Sequence, residues 1–582
     1  MSSPSVIANE VDLSLSTATA GVAGAGTVAN LVWGEIGTIM QLGSPDDLEF
    51  LGGKPNDQNY VDWFTARNLL NYTSNVNVVR VVDEETAKNA SVGAGNVGTG
   101  LLVKNKVHYE VVATSISNTE YFVAKYAGDL GNSISVQVAD NSTFDTWEYA
   151  YLFDTAPTNS DGSSVFLPTG TEADDEIHVV VLDRLGRFSG VPNSVLETYS
   201  YLSKAKDAKD VNGQSSYYVS VINNRSNYVY ALKPITGADV VNVDGEFAEW
   251  GSKLNTGKAY AKLANVFVGD LSNGSDGQVP SKSEYVSGWD ILNDIDDQDT
   301  TVFVAGGAGG DESHAEVVNH MLNLTTNLQN RVGFFSPKIS DVVGIASKQT
   351  VNDNIKATWS AITVKNSYGS MDSGVKLQYD KYNDVYRWIP CNADTAGLFL
   401  ATHNNQGQWV SGAGYNRGKL KDVVQLAYNP DKPSRDILYK MGINCIITEK
   451  SEGTLLLGDK TLQAKNSAFT QLGVRFLFIH LRNIISESAK YSLFEMNDQY
   501  TRSAFVNRID PFLRQIKGLR GVDDYFVLCD ERNNTAKVIQ DGYFIGDIFI
   551  KPQYSIQWVK LNFSAINRNV SFEEVIANAS GA

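Results

Sequence analysis

The sequence predicts a multidomain protein that combines α/β and α+β folds. Its 582 residues suffice for about three to five domains, because domains commonly contain roughly 100 to 200 residues. A hydrophobic content of 42% supports sizeable cores. The patterns also change along the chain: strands and helices alternate in two regions with a β-rich region between them, and two helical patterns followed by strands end the sequence.

The α/β core is predicted in two segments, 19–87 and 181–480, the second of which could form two subdomains. Within it, the apolar strands 301–305 and 332–335 flank a helical pattern over 313–330. This arrangement is typical of parallel strands joined by a right-handed crossover.

A β-rich module is predicted to interrupt this core at residues 88–180. The segment is rich in Gly, Ser, Asn and Thr and contains several short β-type runs separated by turn residues, which is typical of a β-barrel or sandwich. Where the α/β pattern resumes, we expect a helix over 195–208 and a strand over 217–222.

The C-terminal α+β domain is predicted over 481–565. Apolar residues at three- and four-residue spacing predict helices over 483–497 and 499–517. Three strands are then expected, over 525–529, 543–550 and 555–563. A small sheet backed by helices and followed by an arm, 566–582, can accept strands from other copies of the chain.

Residues 1–18 are predicted to form an N-terminal arm. Val11, Leu13 and Leu15 alternate with polar residues, so one face of an extended strand could be buried, yet no nearby segment offers a hairpin partner. The pattern alone leaves two interpretations open: a frayed terminus, or a strand donated to a neighbouring copy.

Several dispersed motifs resemble those of contractile phage tail sheath proteins, in particular the T-even-like sheaths. The C-terminal motifs are RIDPFLR at 508–514, GLRGVDDY at 518–525, CDERNNT at 529–535 and DIFIKP at 547–552. The N-terminal motifs are PSVIANEVD at 4–12, WGE at 33–35, GGKP at 52–55, DWF at 62–64 and VVRVV at 78–82. YFVAKYAGDLGN at 121–132 and DEIHVVVLD at 175–183 are similar to the inserted protruding module of that family.

The resemblance implies a subtilisin-like α/β core and a subunit that stacks in rings of six around a tail tube. The rings would form a helical cylinder that contracts on a signal from the baseplate and drives the tube through the host envelope. The implied partners are other copies of the chain, the tail tube protein, and baseplate and tail terminator proteins. The implied location is the virion tail, assembled in the host cytoplasm.

The resemblance also implies that the two arms donate strands and that the C-terminal sheet accepts them. The expected donor residues are Val6, Ile7, Val11, Leu13, Leu15, Phe572, Val575 and Ile576. The expected acceptor residues are Phe544, Ile548, Ile550, Ile556, Trp558 and Leu561. Arg514, Lys517 and Arg520 are tube-facing candidates, because a basic helix could pair with acidic residues of the tube. A favourable interaction with the helix dipole is the alternative for Lys517 and Arg520.

Composition argues against several other classes of protein. A net charge of −18 argues against a nucleic-acid binder, because phosphate contacts need clustered Lys and Arg. There is no run of eighteen apolar residues and no basic-then-apolar leader, so we expect neither membrane insertion nor export by a signal peptide. Cys391, Cys445 and Cys529 lack metal-site spacing and are expected to be buried thiols.

The sequence offers only weak candidates for a phosphate-binding or metal-binding site. The glycine turn 306–310 is followed by Asp311 and Glu312, which would repel a phosphate, so a packing turn is the favoured interpretation. His314 and His320 are six residues apart and cannot share a helix face. The acidic residues at 294–299 lack the EF-hand pattern. We therefore expect no cofactor and no metal.

An enzyme is not expected either, because none of the histidines lies in a context resembling the catalytic motifs of subtilisin-like proteases; they are His108, His178, His314, His320, His403 and His480. The interpretation that the sequence favours is a structural sheath subunit of a phage tail. The alternatives are the sheath of a cellular contractile injection system and, from another class, an α/β hydrolase with a β-rich binding insertion.

Overall fold

The structure is a computed structural model that describes residues 22–96, 98–115, 120–160, 163–167, 171–241, 246–293 and 300–557. Its strands are β1 Gly24–Asn30, β2 Ile39–Leu42, β3 Val76–Val81, β4 Ser91–Gly93, β5 Glu120–Ala124, β6 Ile134–Asp140, β7 Glu176–Asp183, β8 Ser194–Ser203, β9 Val229–Ala231, β10 Val240–Val241, β11 Lys262–Leu263, β12 Phe267–Asp270, β13 Thr300–Val304, β14 Val332–Phe335, β15 Gly369–Asp372, β16 Val375–Asp380, β17 Val385–Pro390, β18 Gln425–Leu426, β19 Ile443–Glu449, β20 Gly453–Leu457, β21 Val522–Leu528 and β22 Asp547–Pro552.

The α-helices of the same ranges are α1 Pro45–Gly52, α2 Tyr60–Leu69, α3 Lys106–Ser115, α4 Tyr218–Arg225, α5 Lys282–Asn293, α6 His314–Leu328, α7 Ile339–Val342, α8 Lys348–Ala361, α9 Asn392–Gln406, α10 Lys432–Lys440, α11 Leu472–Lys490, α12 Gln499–Gly518 and α13 Ala536–Gln540.

The centre of the molecule is an eight-stranded sheet with the order β2-β3-β1-β13-β14-β15-β19-β20. The six inner strands are parallel, whereas β2 and β20 pair antiparallel at the two edges. The strands β13 and β14 are joined through α6, as the sequence predicts. The mixed α/β character of the prediction is therefore confirmed.

Helices cover both faces of this sheet. On one face, α2, α9 and α11 contribute Trp63, Phe399 and Phe476 to a core cluster shared with the strands. On the other face, α5, α6 and α8 contribute residues such as Trp289 and Met321. Because both faces are covered, the parallel strands are buried along their whole length rather than at every second residue.

The β-rich module consists of two open sheets that share a core, β12-β6-β7-β8 and β4-β5-β9. In the described residues these strands do not close into a barrel, so the sandwich is the alternative that fits. All of its strands lie between β3 and β13 in sequence. The division of the chain into domains stays a prediction, but a boundary at residue 180 would cut β7 and separate β8 and β12 from the sheet with which they pair.

Two local expectations for the region between β7 and β9 are wrong. Residues 194–203 form strand β8 rather than a helix, because they pair along most of their length with β7. Conversely, 218–225 form α4 rather than a strand, and Tyr218, Val221 and Ile222 bury a helical face at three- and four-residue spacing. Both segments are short, and tertiary pairing decides between helix and strand in such segments.

Arg80 of β3 joins the module to the core. Its guanidinium is completely buried and donates to three main-chain oxygens: Leu31 at 2.7 Å, Gly34 at 2.6 Å and Ala127 at 2.7 Å. Leu31 and Gly34 follow β1, whereas Ala127 follows β5 of the module. Burial lowers the pKa of Arg80 to about 10, which leaves it charged at neutral pH.

Replacing Arg80 with Met should destabilise the protein strongly, because three buried carbonyl oxygens would lose their donors. We expect the free energy of unfolding to fall by roughly 3 kcal/mol or more, measured by urea denaturation. The control is Arg67→Met on α2, where the partly exposed guanidinium donates to the Asn71 side chain and should contribute less than about 1 kcal/mol. Equal losses in the two variants would contradict the role of Arg80.

Candidate assembly site

The C-terminal unit is a two-stranded antiparallel sheet packed on two helices. Apolar residues of α11 and α12 form its core together with the inner face of the sheet: Leu477, Leu481, Phe505, Ile509, Leu513, Ile516, Tyr525, Val527, Ile548 and Ile550. Asp498 caps α12 by accepting from the main-chain nitrogen of Thr501 at 2.8 Å. The helix over 499–517 and the strand over 525–529 are thus confirmed within a few residues.

The outer face of this sheet carries an aromatic pair that is open to solvent. Phe526 and Phe549 lie opposite each other on β21 and β22, with ring centroids 6.3 Å apart, and are 54% and 57% exposed. This pair was not predicted from the sequence, although strand alternation could have revealed it, because both side chains lie on the face opposite to that of Tyr525 and Ile548.

Both edges of the two-stranded sheet are available for further pairing. Strand β21 pairs with β22 from Val522 to Leu528, and no third strand joins either of them within the described ranges. An edge strand presents unpaired N–H and C=O groups, which form a template for another strand. Two strands alone are also marginally stable, so additional strands would stabilise the unit.

The predicted acceptor residues fall in different places. Ile548 and Ile550 lie in β22, but Phe544 precedes that strand and packs on Phe505 with ring centroids 5.3 Å apart. Ile556 lies beyond it and is 84% exposed. Residues 553–557 do not form the strand expected over 555–563.

The remaining predicted strand-exchange residues lie outside the described residues. They are the acceptors Trp558 and Leu561 and the donors Val6, Ile7, Val11, Leu13, Leu15, Phe572, Val575 and Ile576.

The tube-facing candidates lie at the C-terminal end of α12. Arg514 pairs with Asp510 at 2.6 Å, and Lys517 pairs with Asp524 at 2.9 Å. Hydrogen bonding with Asp524 raises the pKa of Lys517. Arg520 follows the helix with a φ of 64°, in the left-handed region. Two of the three charges are therefore already partnered within the chain by exposed pairs, which contribute little to stability and exchange easily.

Helix α11 links the C-terminal unit to the core. Phe476 packs against Phe399 and His403 of α9, with ring centroids at 5.9 Å and 4.5 Å. Both ring nitrogens of His403 are buried without a hydrogen-bond partner. Burial lowers the pKa of His403 to about 3, and burial lowers that of the neighbouring His480 to about 4.

The two buried histidines predict that the folded protein becomes less stable in acid. Above pH 6.5 both histidines are neutral whether the chain is folded or unfolded. Below pH 6.5 they bind protons in the unfolded chain but stay neutral in the folded core. The free energy of unfolding therefore falls as the pH decreases. Each such group contributes about 1.4 kcal/mol per pH unit.

His403→Leu should therefore reduce the pH dependence of unfolding between about pH 6 and 4.5 by nearly one proton, measured by urea denaturation at several pH values. Phe399→Leu is the control: it should lower stability at every pH and leave the slope unchanged. A His403→Leu slope equal to that of the unmodified protein would contradict the assignment.

The carboxyl edge of the central sheet is where α/β proteins bind ligands, and here it holds a buried polar cluster. The Ser336 hydroxyl donates to Asp372 at 3.0 Å, and Thr395 donates to the same carboxyl at 3.3 Å. His314 Nε2 lies 3.0 Å from the main-chain oxygen of Ser336, not from its hydroxyl. Burial raises the pKa of Asp372 to about 7. This geometry joins β14, β15 and α9 and does not pair a nucleophile with a histidine base.

The glycine turn after β13 is a packing turn, as the sequence predicts. A side chain at Gly307 would lie 2.7 Å from Val61, and Gly309 has a φ of 70°. The three cysteines are free and buried. Across the described ranges, no group of three or more His, Cys, Asp or Glu side chains could hold a metal ion. Residues 294–299, the acidic cluster, lie outside those ranges. None of the described helices combines the length and apolar character that a membrane span requires.

Within the described residues, the chain thus combines an α/β core with a small C-terminal sheet whose edges pair with no third strand. Comparisons with known proteins show what the whole chain resembles. Residues 464–566 match a family model described as the phage tail sheath C-terminal domain. The tail sheath proteins of Salmonella phage ViI and Enterobacteria phage T4 are each 29% identical to this chain; the alignments cover 98% and 96% of it, and 97% and 96% of those proteins.

A solved structure shows the same likeness of fold. The sheath tail protein from Listeria innocua aligns with a TM-score of 0.51 at 10% identity, over 92% of this chain and 96% of that one. The resemblance read from the sequence motifs is confirmed: the chain is a homologue of phage tail sheath proteins over nearly its whole length.

Proposed function

We propose that this chain is the structural subunit of a contractile phage tail sheath, which polymerises around the tail tube and contracts to drive the tube through the host envelope. The near full-length homology to tail sheath proteins is the observation that carries the function. The matched C-terminal domain contains the open two-stranded sheet, so the part that the family model identifies is also the part equipped for pairing between subunits.

Strand donation is the proposed means of assembly. The arms around 6–15 and 572–576 would add strands to the free edges of β21 and β22. About five main-chain hydrogen bonds, each contributing roughly 0.5 to 1.5 kcal/mol, hold neighbours together by several kcal/mol. Tethers of this kind let the globular bodies turn while the subunits stay connected, as contraction between two packings of one subunit requires.

The remaining parts of the proposal follow the family. The subunits would form stacked rings of six, with a subtilisin-like core, and the assembly would contact the tail tube, the baseplate and the tail terminator. The location would be the virion tail, after assembly in the host cytoplasm. We expect no enzymatic activity and no binding of nucleic acid, because the work of contraction comes from the difference between two packings. No feature of the described residues favours the hydrolase alternative.

The first test is electron microscopy of the purified protein, alone and after seeding with tail tubes. Hollow cylinders, or sleeves on the tubes, are expected. Persistent monodisperse particles under both conditions would contradict the proposal and reopen the enzyme alternative.

Deleting residues 1–17 should leave a folded protein that cannot polymerise, because the donated strand is gone. Two matched variants test the faces of the predicted strand. The triple variant Val11→Asp, Leu13→Asp, Leu15→Asp should block polymerisation. The double variant Asp12→Ala, Ser14→Ala changes the opposite face and should still polymerise. Electron microscopy with circular dichroism measures both properties. Cylinders of normal length from the deletion variant would remove the N-terminal arm from the mechanism.

The tube contact can be tested by charge reversal. Arg514→Glu with Lys517→Glu should reduce the fraction of tubes that carry sleeves several-fold, without a change in unfolding temperature beyond that expected for exposed pairs. Arg532→Glu is the control, since Arg532 is exposed in the same unit and pairs with Asp530 at 2.7 Å. Sleeve formation that is insensitive to the double change would place the tube contact elsewhere.

A further inference from the structure

The chain leaving β22 is fastened to the core rather than to its own small sheet. The Ser555 hydroxyl donates to Asp459 Oδ2 at 2.7 Å, and Gln557 Nε2 donates to Asp459 Oδ1 at 3.2 Å. The main-chain nitrogen of Ser555 also donates to Gln471 Oε1 at 3.3 Å. Both oxygens of one carboxylate are thus used to hold residues that are 96 and 98 positions away in sequence.

Asp459 is itself rigidly placed. Only 5% of it is exposed, and its main-chain oxygen accepts from the nitrogen of Leu472, the first residue of α11, at 2.7 Å. The neighbouring Lys460 nitrogen donates to Asn444 at the start of β19 at 2.8 Å. Asp459 is therefore held between the start of β19 and the start of α11.

This anchoring point lies at the amino edge of the parallel strands. Strand β20 runs antiparallel to β19, so it ends at the edge where β19 begins, and Asp459 follows two residues later. The start of β1 lies at the same edge, because Gly24 pairs with Thr300 at the start of β13. β1 and β20 are five strand spacings apart in the sheet order, which is roughly 24 Å.

The first described residues are fastened at that edge in a similar way. The Ala23 nitrogen donates to Asn404 Oδ1 at 2.9 Å, and the Ala23 oxygen accepts from the Thr73 hydroxyl at 2.8 Å. Asn75 Nδ2 donates to the Val22 oxygen at 3.1 Å. The roots of both arms are therefore held by side chains along one edge of the same sheet.

We propose that Asp459 is the mechanical anchor of the C-terminal arm: it fixes where the arm leaves the subunit and transfers the load of a strand donated to a neighbouring copy onto the central sheet. The inference rests on the proposed function as a polymerising subunit. Without the anchor, tension applied beyond residue 557 would act on Pro552 and pull β22 away from β21. A sheet of only these two strands is marginally stable by itself. With the Asp459 anchor in place, the tension would act first on the eight-stranded sheet.

The first experiment is limited trypsin digestion of the folded full-length subunit, scored at Lys560 and Arg568, the trypsin sites that follow the anchor. Asp459→Ala should accelerate cleavage at these sites by about tenfold, because two hydrogen bonds to a charged group are lost. Asp459→Asn, which keeps one acceptor, should give a smaller increase. The unfolding temperature reports whether the core remains intact.

Ser555→Ala tests the anchor without changing the core, because it removes only the hydroxyl that donates to Asp459. It should also accelerate cleavage, and Asp459→Ala combined with Ser555→Ala should be no faster than Asp459→Ala alone, because both changes break the same contact. Asp436→Asn is the control: Asp436 lines the same groove of about 670 Å³ as Asp459 and Ser555 but takes no part in the bonds described above. Additive effects, or equal acceleration by Asp436→Asn, would overturn the anchor.

Assembly provides the second readout. Asp459→Ala and Ser555→Ala should shorten or reduce sleeves on tail tubes, whereas Asp436→Asn should form them normally. Normal sleeves from the two anchor variants would overturn the mechanical role. Failure of the unmodified protein to form sleeves would instead count against the proposed function, and the digestion experiment would still decide whether the anchor exists.

Discussion

A parallel sheet is stable only when both of its faces are covered, and the central sheet meets this condition with helices drawn from distant parts of the chain. Helix α2 comes from the first hundred residues, α9 from near residue 400, and α11 from the start of the C-terminal region. Because α11 takes part in covering the sheet and then continues outward, the position of the C-terminal unit depends on the packing of the core. The candidate assembly site is thus built on a helix that also packs against the central sheet.

Buried polar groups determine how the parts are joined. Arg80 connects main-chain oxygens of the core and of the β-rich module, and Lys204 plays a similar part inside the module, where it pairs with Asp140 at 3.1 Å and donates to the main-chain oxygens of Asp174 and Ala261. A buried charge with several hydrogen-bond partners tolerates only one arrangement of the groups around it. Arg80 therefore ties the module to the core, whereas Lys204 fixes the packing within the module.

The C-terminal unit has the opposite character. Within the described residues its sheet has two strands, an exposed aromatic pair and no third strand at either edge. Arg514 and Lys517 are held by exposed ion pairs that exchange easily. A marginal two-stranded sheet would suit the proposed strand exchange, because a strand donated by a neighbouring subunit would add stability. Asp459 connects the chain to the core just beyond the small sheet. A load on the C-terminal arm would therefore not act on that marginal sheet alone.

The sequence by itself determined the resemblance to phage tail sheath proteins, the α/β core around the β13-α6-β14 unit, helix α12 and strand β21. These features depend on local periodicity and on motifs that are contiguous in the chain, and such signals survive without knowledge of contacts. Tertiary structure alone decided that residues 194–203 form a strand and 218–225 a helix, since short segments take the conformation that their neighbours in space allow. It alone also placed Asp459 beside Ser555 and Gln557, because a contact between residues nearly a hundred positions apart leaves no periodic trace in the sequence.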